Sequence, residues 1–430
     1  MYKKDKIWSQ IENVIFPLVK VSLMGEYLLR CVSDGSVRPP YSLSCPHDSS
    51  LLRAEYKSRQ LEIKNLPGIW RFIDWLPVKG IIEKATGRSV TYKSQGLARE
   101  LDLENLYISF NGYWPEKYAN LPTCSFKDLE AAPTMQMLLD KGERSSLVVA
   151  SAGNTARAFA HIASLTGQEL VLFVPEKALE RMWTIVPPGR ITLIAVKGDY
   201  LDAIQMAEKV QSRKGFTPEG GARNIARRDG MGTVMLDAAV TIGRTPDHYF
   251  QAVGSGTGGI SAWEASLRLK NDGRFHPELP LPRLHLAQNI PNAPIYYAWK
   301  ALEPEPYQEN MFDDVLFNRK PPLDMPGGVR DALKATKGMV YGITDKEAGE
   351  ARDLFEQSEE IDILNAPAVA VAALQMAMEA KSVSSKDIIL LNITGGGMAR
   401  MKEDHSRHML QPDVAVSSWE DAALFLEEGS

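Results

Sequence analysis

Four stretches carry side chains that could do chemistry together. The first is Thr123-Cys124-Ser125-Phe126-Lys127-Asp128, which opens a helical run from Leu129 to Leu139. A lysine at a helix N-terminus sits where the macrodipole disfavours a cation, which lowers the cost of a neutral amine. A neutral amine can attack an aldehyde and form a Schiff base. Taken alone, the same stretch is more simply a solvated lysine in a first turn.

The other three stretches follow strands. Ala150-Ser151-Ala152-Gly153-Asn154-Thr155-Ala156 lies between a strand and a helix, where helix N-terminal amides face an anion such as a carboxylate. Asn154 adds a neutral donor for a phenolate oxygen; the plainer alternative is that Ser and Asn cap the helix. Val253-Gly254-Ser255-Gly256-Thr257-Gly258-Gly259-Ile260 sets four glycines around Ser255 and Thr257, and its amides can wrap a phosphate. No Gly-Lys-Ser/Thr follows, so the stretch is not a P-loop and a nucleoside triphosphate is not favoured. A merely structural turn would not need so many glycines, each with its entropic cost. Leu391-Asn392-Ile393-Thr394-Gly395-Gly396-Gly397 puts the Thr394 hydroxyl at a strand's carboxyl edge, with glycines that admit a flat ligand; a strand-ending turn is equally consistent. A Schiff-base lysine, an asparagine turn, a phosphate cup and a hydroxyl together suit pyridoxal phosphate.

Strands alternating with helices must hold these groups. Strands are expected at 89–92, 106–110, 147–150, 170–174, 190–196, 248–253, 284–288, 339–343 and 388–393. Helices are expected at 96–101, 155–165, 200–212, 231–242, 258–270, 293–301, 345–357, 367–380 and 418–428. Such alternation argues for parallel sheets covered on both faces. The segment 303–335, rich in Pro and charge, is expected to be loop. The division expected is a module at 1–60, a large α/β domain from 61–119 and 216–430, and a small α/β domain at 120–215.

The module is expected to hold three short strands, 27–31, 41–45 and 51–56. Cys31, Cys45 and His47 suggest a zinc ribbon, which needs four ligands in two close pairs. At the ribbon spacing stand Asp34 and Asp48, so a metal-free β-module is expected.

Bulk composition narrows the class. With 430 residues the chain can build two or three domains. A net charge of −5 argues against a nucleic-acid surface. Three cysteines make no disulfide framework and fit a reducing cytosol. The N-terminal run has Asp5, Glu12 and Lys20 among its apolar residues and does not read as a signal peptide. The apolar run Ala366 to Ala380 is too short for a bilayer and carries Gln375. A soluble, cytoplasmic homo-oligomer with no nucleic-acid or membrane partner is expected.

The order of the four motifs resembles that of the fold type II pyridoxal-phosphate enzymes, which are tryptophan synthase β-like. S-F-K-D, S-A-G-N-T and the terminal T-G-G-G are similar to those of the threonine synthase branch, and the resemblance covers nearly the whole chain. It implies two parallel-sheet α/β domains with pyridoxal 5'-phosphate between them. It further implies that Lys127 holds the cofactor, Asn154 bonds its ring oxygen, Gly254, Ser255, Gly256, Thr257 and Gly258 bind its phosphate, and Thr394 faces its pyridine nitrogen. Ser151 and Thr155 would hold the substrate carboxylate. Threonine synthases carry a stretch like N-x-x-R-x-E-G-x-K-T; here Asn224, Arg227, Gly230 and Thr233 match, the acid is Asp229, and Gly232 replaces the lysine. Asn224 and Arg227 keep donors for a phosphate ester; a solvated basic patch at Arg227 and Arg228 is the bland alternative. The overall sequence resembles a paralogous line of coenzyme M biosynthesis. That implies β-replacement of the phosphate of O-phospho-L-serine by sulfite, giving L-cysteate. Threonine formation from phosphohomoserine is the runner-up. An inactive homologue with a binding or regulatory role is the alternative from another class.

Overall fold

The computed structural model describes residues 27–428. The N-terminal run read above for a signal peptide therefore lies outside the described residues. An antiparallel sheet comes first: β1 (Tyr27–Cys31) lies between β2 (Val37–Arg38) and β3 (Leu52–Tyr56). The strand expected at 41–45 is absent. Pro39 and Pro40 remove backbone donors, Tyr41 is left-handed at φ 68°, and the Cys45 amide closes a turn onto Ser50 O.

The chain continues through β4 (Val90–Lys93), α1 (Gly96–Glu100), β5 (Leu106–Phe110), a hairpin of β6 (Tyr113–Trp114) and β7 (Ala119–Asn120), and α2 (Asp128–Lys141). Next come β8 (Ser146–Ala150), α3 (Asn154–Thr166), β9 (Leu170–Pro175), β10 (Trp183–Thr184), β11 (Ile191–Val196), α4 (Tyr200–Gln211), β12 (Phe216–Pro218) and α5 (Ile225–Ile242). The run β13 (His248–Ala252), α6 (Thr257–Asp272), β14 (Arg283–Asn289), α7 (Pro294–Lys300), α8 (Val329–Ala335), β15 (Met339–Ile343), α9 (Asp345–Glu359), α10 (Asn365–Glu379) and β16 (Ile389–Ile393) follows. The end is α11 (Met398–Asp404), β17 (His408–Met409), β18 (Val414–Val416) and α12 (Trp419–Glu428).

The larger sheet has the order β15-β14-β13-β16-β5-β4, parallel except for β4. Its two faces feed different cores. Tyr249 and Leu390 pack with Val234 and Met235 of α5, while Phe250 and Leu391 pack with Val369 and Val371 of α10. Each such Val or Leu contributes about 1.5–3 kcal/mol on burial. The apolar run 366–380 is thus a helix buried against β13, β14 and β16. No described helix is long and apolar enough to cross a membrane.

The smaller sheet has the order β12-β8-β9-β11-β18 and is parallel throughout. This corrects the expected domain boundaries. The small sheet recruits 216–218 and 414–416, and α12 packs on α4. Three-residue strands carry no readable alternation, and β18 comes from the far end of the chain. Two further expectations are corrected. The segment 303–335 holds α8, whose seven residues are masked in sequence by the prolines and glycines before it. Helix α5 starts at Ile225, six residues before the expected 231. Its Arg228, part of the solvated basic patch offered as the bland alternative, and Asp229 are buried in ion pairs with Glu264 and Arg268.

Candidate active site

The four chemistry-bearing stretches meet in one cavity of about 730 Å³. Its wall includes Lys127, Ser151, Asn154, Thr155, Arg227, Gly254 to Gly258 and Thr394. Each group enters from the carboxyl end of a parallel strand or the N-terminus of a helix, where both sheets open.

Lys127 is the N-cap residue of α2. Its loop is stitched to the end of β16: the Phe126 amide donates to Thr394 O at 3.1 Å, and the Gly396 amide to Cys124 O at 3.1 Å. A Cβ on Gly395 would lie 2.8 Å from Cys124 O, so the glycine is what permits this seam. The seam puts Lys127 and Thr394 side by side although they are far apart in the chain. The Asp128 carboxylate closes the turn by accepting from Thr123 N and Oγ1 at 2.9 and 2.6 Å.

Lys127 Nζ lies 3.3 Å from Glu130 Oε2. Burial, reinforced by the nearby Arg227 charge, lowers its pKa, while Glu130 opposes the shift. The neutral amine that a Schiff-base lysine needs is favoured chiefly by desolvation.

Sequence reasoning missed Glu130, which reads as the i+3 partner of a surface pair. It is fully buried and also accepts from Thr155 Oγ1 at 3.0 Å and Arg227 Nη2 at 2.7 Å. Arg227 pairs at its other end with Glu219. The two acids shift in opposite directions. Burial raises both, but Glu130 faces two cations, which outweigh burial and hold its pKa low. At Glu219 burial, joined by the Glu130 charge, outweighs Arg227 and the Gly221 amide, and its pKa is raised.

Asn154 is the first residue of α3. Its Oδ1 accepts from Arg157 Nη2 at 2.9 Å. Arg157 is itself buried, bonds Thr123 O at 2.9 Å and stacks on Trp183. With the carbonyl end engaged, Asn154 turns its NH2 donor to the cavity. Arg157 was not legible in sequence, since it reads as an exposed position of a helix. Ser151 Oγ accepts from the Gly153 amide at 3.1 Å.

The loop between β13 and α6 is left-handed at Gly256, φ 80°, where a Cβ would lie 2.4 Å from Val329 Cγ2. Amides of the first turn of α6 have no intrahelical acceptor, and Ser255 and Thr257 hydroxyls lie 2.8 Å apart beside them. This is a cradle for a phosphate at a helix N-terminus. Thr394 is buried, and its hydroxyl has no protein partner among the described residues. The donor set therefore fits pyridoxal phosphate: an amine, an oriented amide, an anion cradle and a neutral hydroxyl on one cavity.

Asn224 is placed differently. It caps α5, accepting from the Ala226 amide at 2.9 Å and donating to Glu219 O at 2.7 Å. Both ends of its amide are engaged and it is not on the cavity wall.

The chain belongs to the family of pyridoxal-phosphate dependent enzymes, whose model matches residues 93–395. Its fold is fold type II and its cofactor is pyridoxal 5'-phosphate. Within that family it is similar to the cysteate synthase of Methanococcoides burtonii, 56% identical over 92% of this chain and 94% of that one. The cysteate synthase of Methanothrix thermoacetophila is also 56% identical, over 94% and 99%. Among solved structures, a pyridoxal 5'-phosphate-dependent aspartate racemase shares the fold with a TM-score of 0.55 at 16% identity, over 74% of this chain and 94% of that one. A fungal L-serine ammonia-lyase from Rhizomucor miehei gives 0.54 at 16% identity, over 74% and 98%.

Proposed function

We propose that the protein performs the cysteate synthase reaction, in which O-phospho-L-serine and sulfite give L-cysteate and phosphate. The observation that carries this reading is the meeting of Lys127, Asn154, the Gly254–Gly258 cradle and Thr394 on one cavity, in a chain 56% identical to cysteate synthases. Pyridoxal phosphate, when bound, supplies the electron sink for the substrate's α-carbon.

The chain's residues do the rest. Lys127 would hold the cofactor's carbonyl carbon, Asn154 Nδ2 its ring oxygen, and the amides of 254–258 its phosphate. The Thr394 hydroxyl would meet the ring nitrogen; a neutral hydroxyl, unlike a carboxylate, does not hold that nitrogen protonated. Such a weaker sink suits elimination. Ser151 and Thr155, beside the N-terminal amides of α3, would bind the substrate carboxylate. Lys127 Nζ takes the α-proton as general base and returns it at the end. Between those transfers the C–O bond to phosphate breaks and sulfite forms the C–S bond through its sulfur lone pair.

Threonine synthesis is less well supported. The lysine of the N-x-x-R-x-E-G-x-K-T stretch is replaced by Gly232, which faces α6. A Cβ there would lie 3.2 Å from Ser261 O, so the position serves helix packing. The reading includes a cytoplasmic homo-oligomer, testable by light scattering and fractionation.

The deciding experiment measures phosphate release from O-phosphoserine and from phosphohomoserine, each with and without sulfite. Sulfite-dependent release from phosphoserine with cysteate formed is expected; sulfite-independent release from phosphohomoserine with threonine formed would overturn the reading. Lys127→Ala is expected to abolish turnover.

A further inference from the structure

The N-terminal module contains one turn twice. Cys31-Val32-Ser33-Asp34-Gly35-Ser36 and Cys45-Pro46-His47-Asp48-Ser49-Ser50 share the pattern Cys-x-x-Asp-x-Ser. Their hydrogen bonds match. The amide of the first residue donates to the carbonyl of the sixth, at 2.9 Å from Cys31 to Ser36 and 3.0 Å from Cys45 to Ser50. The amide of the fifth donates back to the carbonyl of the first, at 3.1 Å and 3.0 Å. The fifth residue is left-handed in both, Gly35 at φ 68° and Ser49 at φ 60°. The Asp carboxylate accepts from the sixth amide, at 2.9 Å for Asp34 and 3.0 Å for Asp48.

The two turns face each other. Cys31 Sγ, Cys45 Sγ and an Asp48 carboxylate oxygen all lie within 4.8 Å of one another. Both thiols are buried. Arg38 Nη2 sits beside them, 3.1 Å from Cys45 Sγ and 3.2 Å from Asp34 Oδ2.

We propose that the paired turns bind one divalent transition-metal ion, zinc by preference, through Cys31, Asp34, Cys45 and Asp48. Four donors from two turns with two intervening residues each match a tetrahedral structural site. Ligand–ligand edges at zinc are about 3.5–3.8 Å, so Cys31, Cys45 and Asp48 need to contract by roughly 1 Å, and Asp34 has to turn in from its contacts with Ser36 and Arg38. Thiolate and carboxylate together exclude calcium and magnesium, which take oxygen alone. Two thiolates and two carboxylates leave a net −2 around a divalent ion, and the Arg38 guanidinium offsets part of it. The carboxylates are in turn held by backbone amides, an outer shell of the kind that orients metal ligands. Counting cysteines alone gave two ligands and a metal-free reading; the repeat of the whole turn is visible only in its hydrogen bonds.

The ion would brace the active cavity. The loop between the turns carries Leu43, which lines that cavity and packs against Gly220. The second turn leads to Leu51, whose amide bonds Pro326 O at 3.0 Å.

The test uses untagged, cofactor-loaded enzyme, reduced and dialysed against a weak chelator. About one zinc per chain by mass spectrometry is expected. Cobalt exchanged into the site is expected to show a thiolate-to-metal charge-transfer band. Arg38→Ala is expected to keep the band with about 10–100-fold weaker metal affinity, and the Cys31→Ser, Cys45→Ser double variant to lose it. No retained metal together with no cobalt band, and Cys31 and Cys45 titrating as free thiols, overturns the proposal without recourse to any variant. A cobalt band that persists in the double variant overturns it equally.

Discussion

Replacing Gly230 with alanine separates helix packing from site chemistry. Gly230 lies where α5 crosses α2, the helix that starts at Lys127. A Cβ there would meet Leu129 O at 2.0 Å and Pro133 Cγ at 2.9 Å, against an ordinary contact of 3.4 Å or more. Pro133 has no N–H, so no i+4 donor covers that carbonyl, and α5 passes directly over it. The methyl forces α2 and α5 apart by roughly 1.4 Å, the shortfall at Leu129 O. Overpacking of this kind costs about 1–3 kcal/mol, and the clash is with backbone, so the upper end applies. Better helix propensity returns about 1 kcal/mol. The net loss is about 2 kcal/mol, or roughly 2 °C in Tm for a chain of this size. Moving Lys127 by about 1 Å costs about 100-fold in turnover. Gly349→Ala in α9 is the control. Nothing lies within 4 Å of its added Cβ, so it should gain about 1 kcal/mol with turnover unchanged. Melting of the cofactor-loaded protein and kcat/KM for phosphate release read both effects. A Gly230→Ala protein that melts like Gly349→Ala and releases phosphate at the normal rate would falsify the reasoning.

Two more perturbations probe buried groups around the site. Arg157→Met keeps the bulk against Trp183 but frees the Asn154 amide and strands Thr123 O. Cofactor affinity should fall about 10-fold, the worth of about 1.4 kcal/mol, as read by absorbance titration, and Arg157→Lys, without the fork, should not rescue it. Burial pushes the His161 pKa down to about 4, and its Nδ1 has no partner. The folded protein therefore holds the ring neutral while the unfolded chain protonates near 6.5, so stability is lost as pH falls from about 6.5 to 4, by up to about 3 kcal/mol. Denaturant midpoints should show this loss reduced by that amount in His161→Gln; identical acid limbs would refute it.

What the sequence disclosed was decided by where each residue lies on its element. Lys127, Asn154, the glycine loop and Thr394 sit at strand and helix ends, where unusual residue types cannot be explained as core. Glu130 and Arg157 sit inside helices, where a charge ordinarily reads as a solvated face. Only the tertiary packing of α2 on α5 and α3 shows that both are buried. Helix α5 hid its start for the same reason, because a helix buried on every side has no polar face to set a period. Its Arg227-Arg228-Asp229 run is satisfied by Glu219, Glu264 and Arg268, residues distant enough in sequence to be invisible as partners. The edges of the small sheet were lost to length, since β12 and β18 hold three residues each.

The position of Arg227 carries a consequence for substrate binding. It was read from sequence as a phosphate ligand, yet two carboxylates already hold its charge. A doubly charged phosphate ester cannot use Arg227 while both remain ionised, because the incoming anion would share the guanidinium with two buried negative charges. Glu130 is held ionised chiefly by Arg227. Glu219, whose pKa burial raises, is the acid expected to take a proton when the substrate enters. Substrate binding then draws a proton from solution, and KM for O-phosphoserine rises as pH rises and Glu219 becomes harder to protonate. Glu219→Gln carries the neutral form permanently. Its KM should stay flat with pH and fall below that of the parent enzyme at the alkaline end, while kcat changes little. Parallel KM profiles for the two proteins would show that Arg227 serves only the buried ion-pair network and that the substrate's phosphate is held elsewhere on the cavity wall.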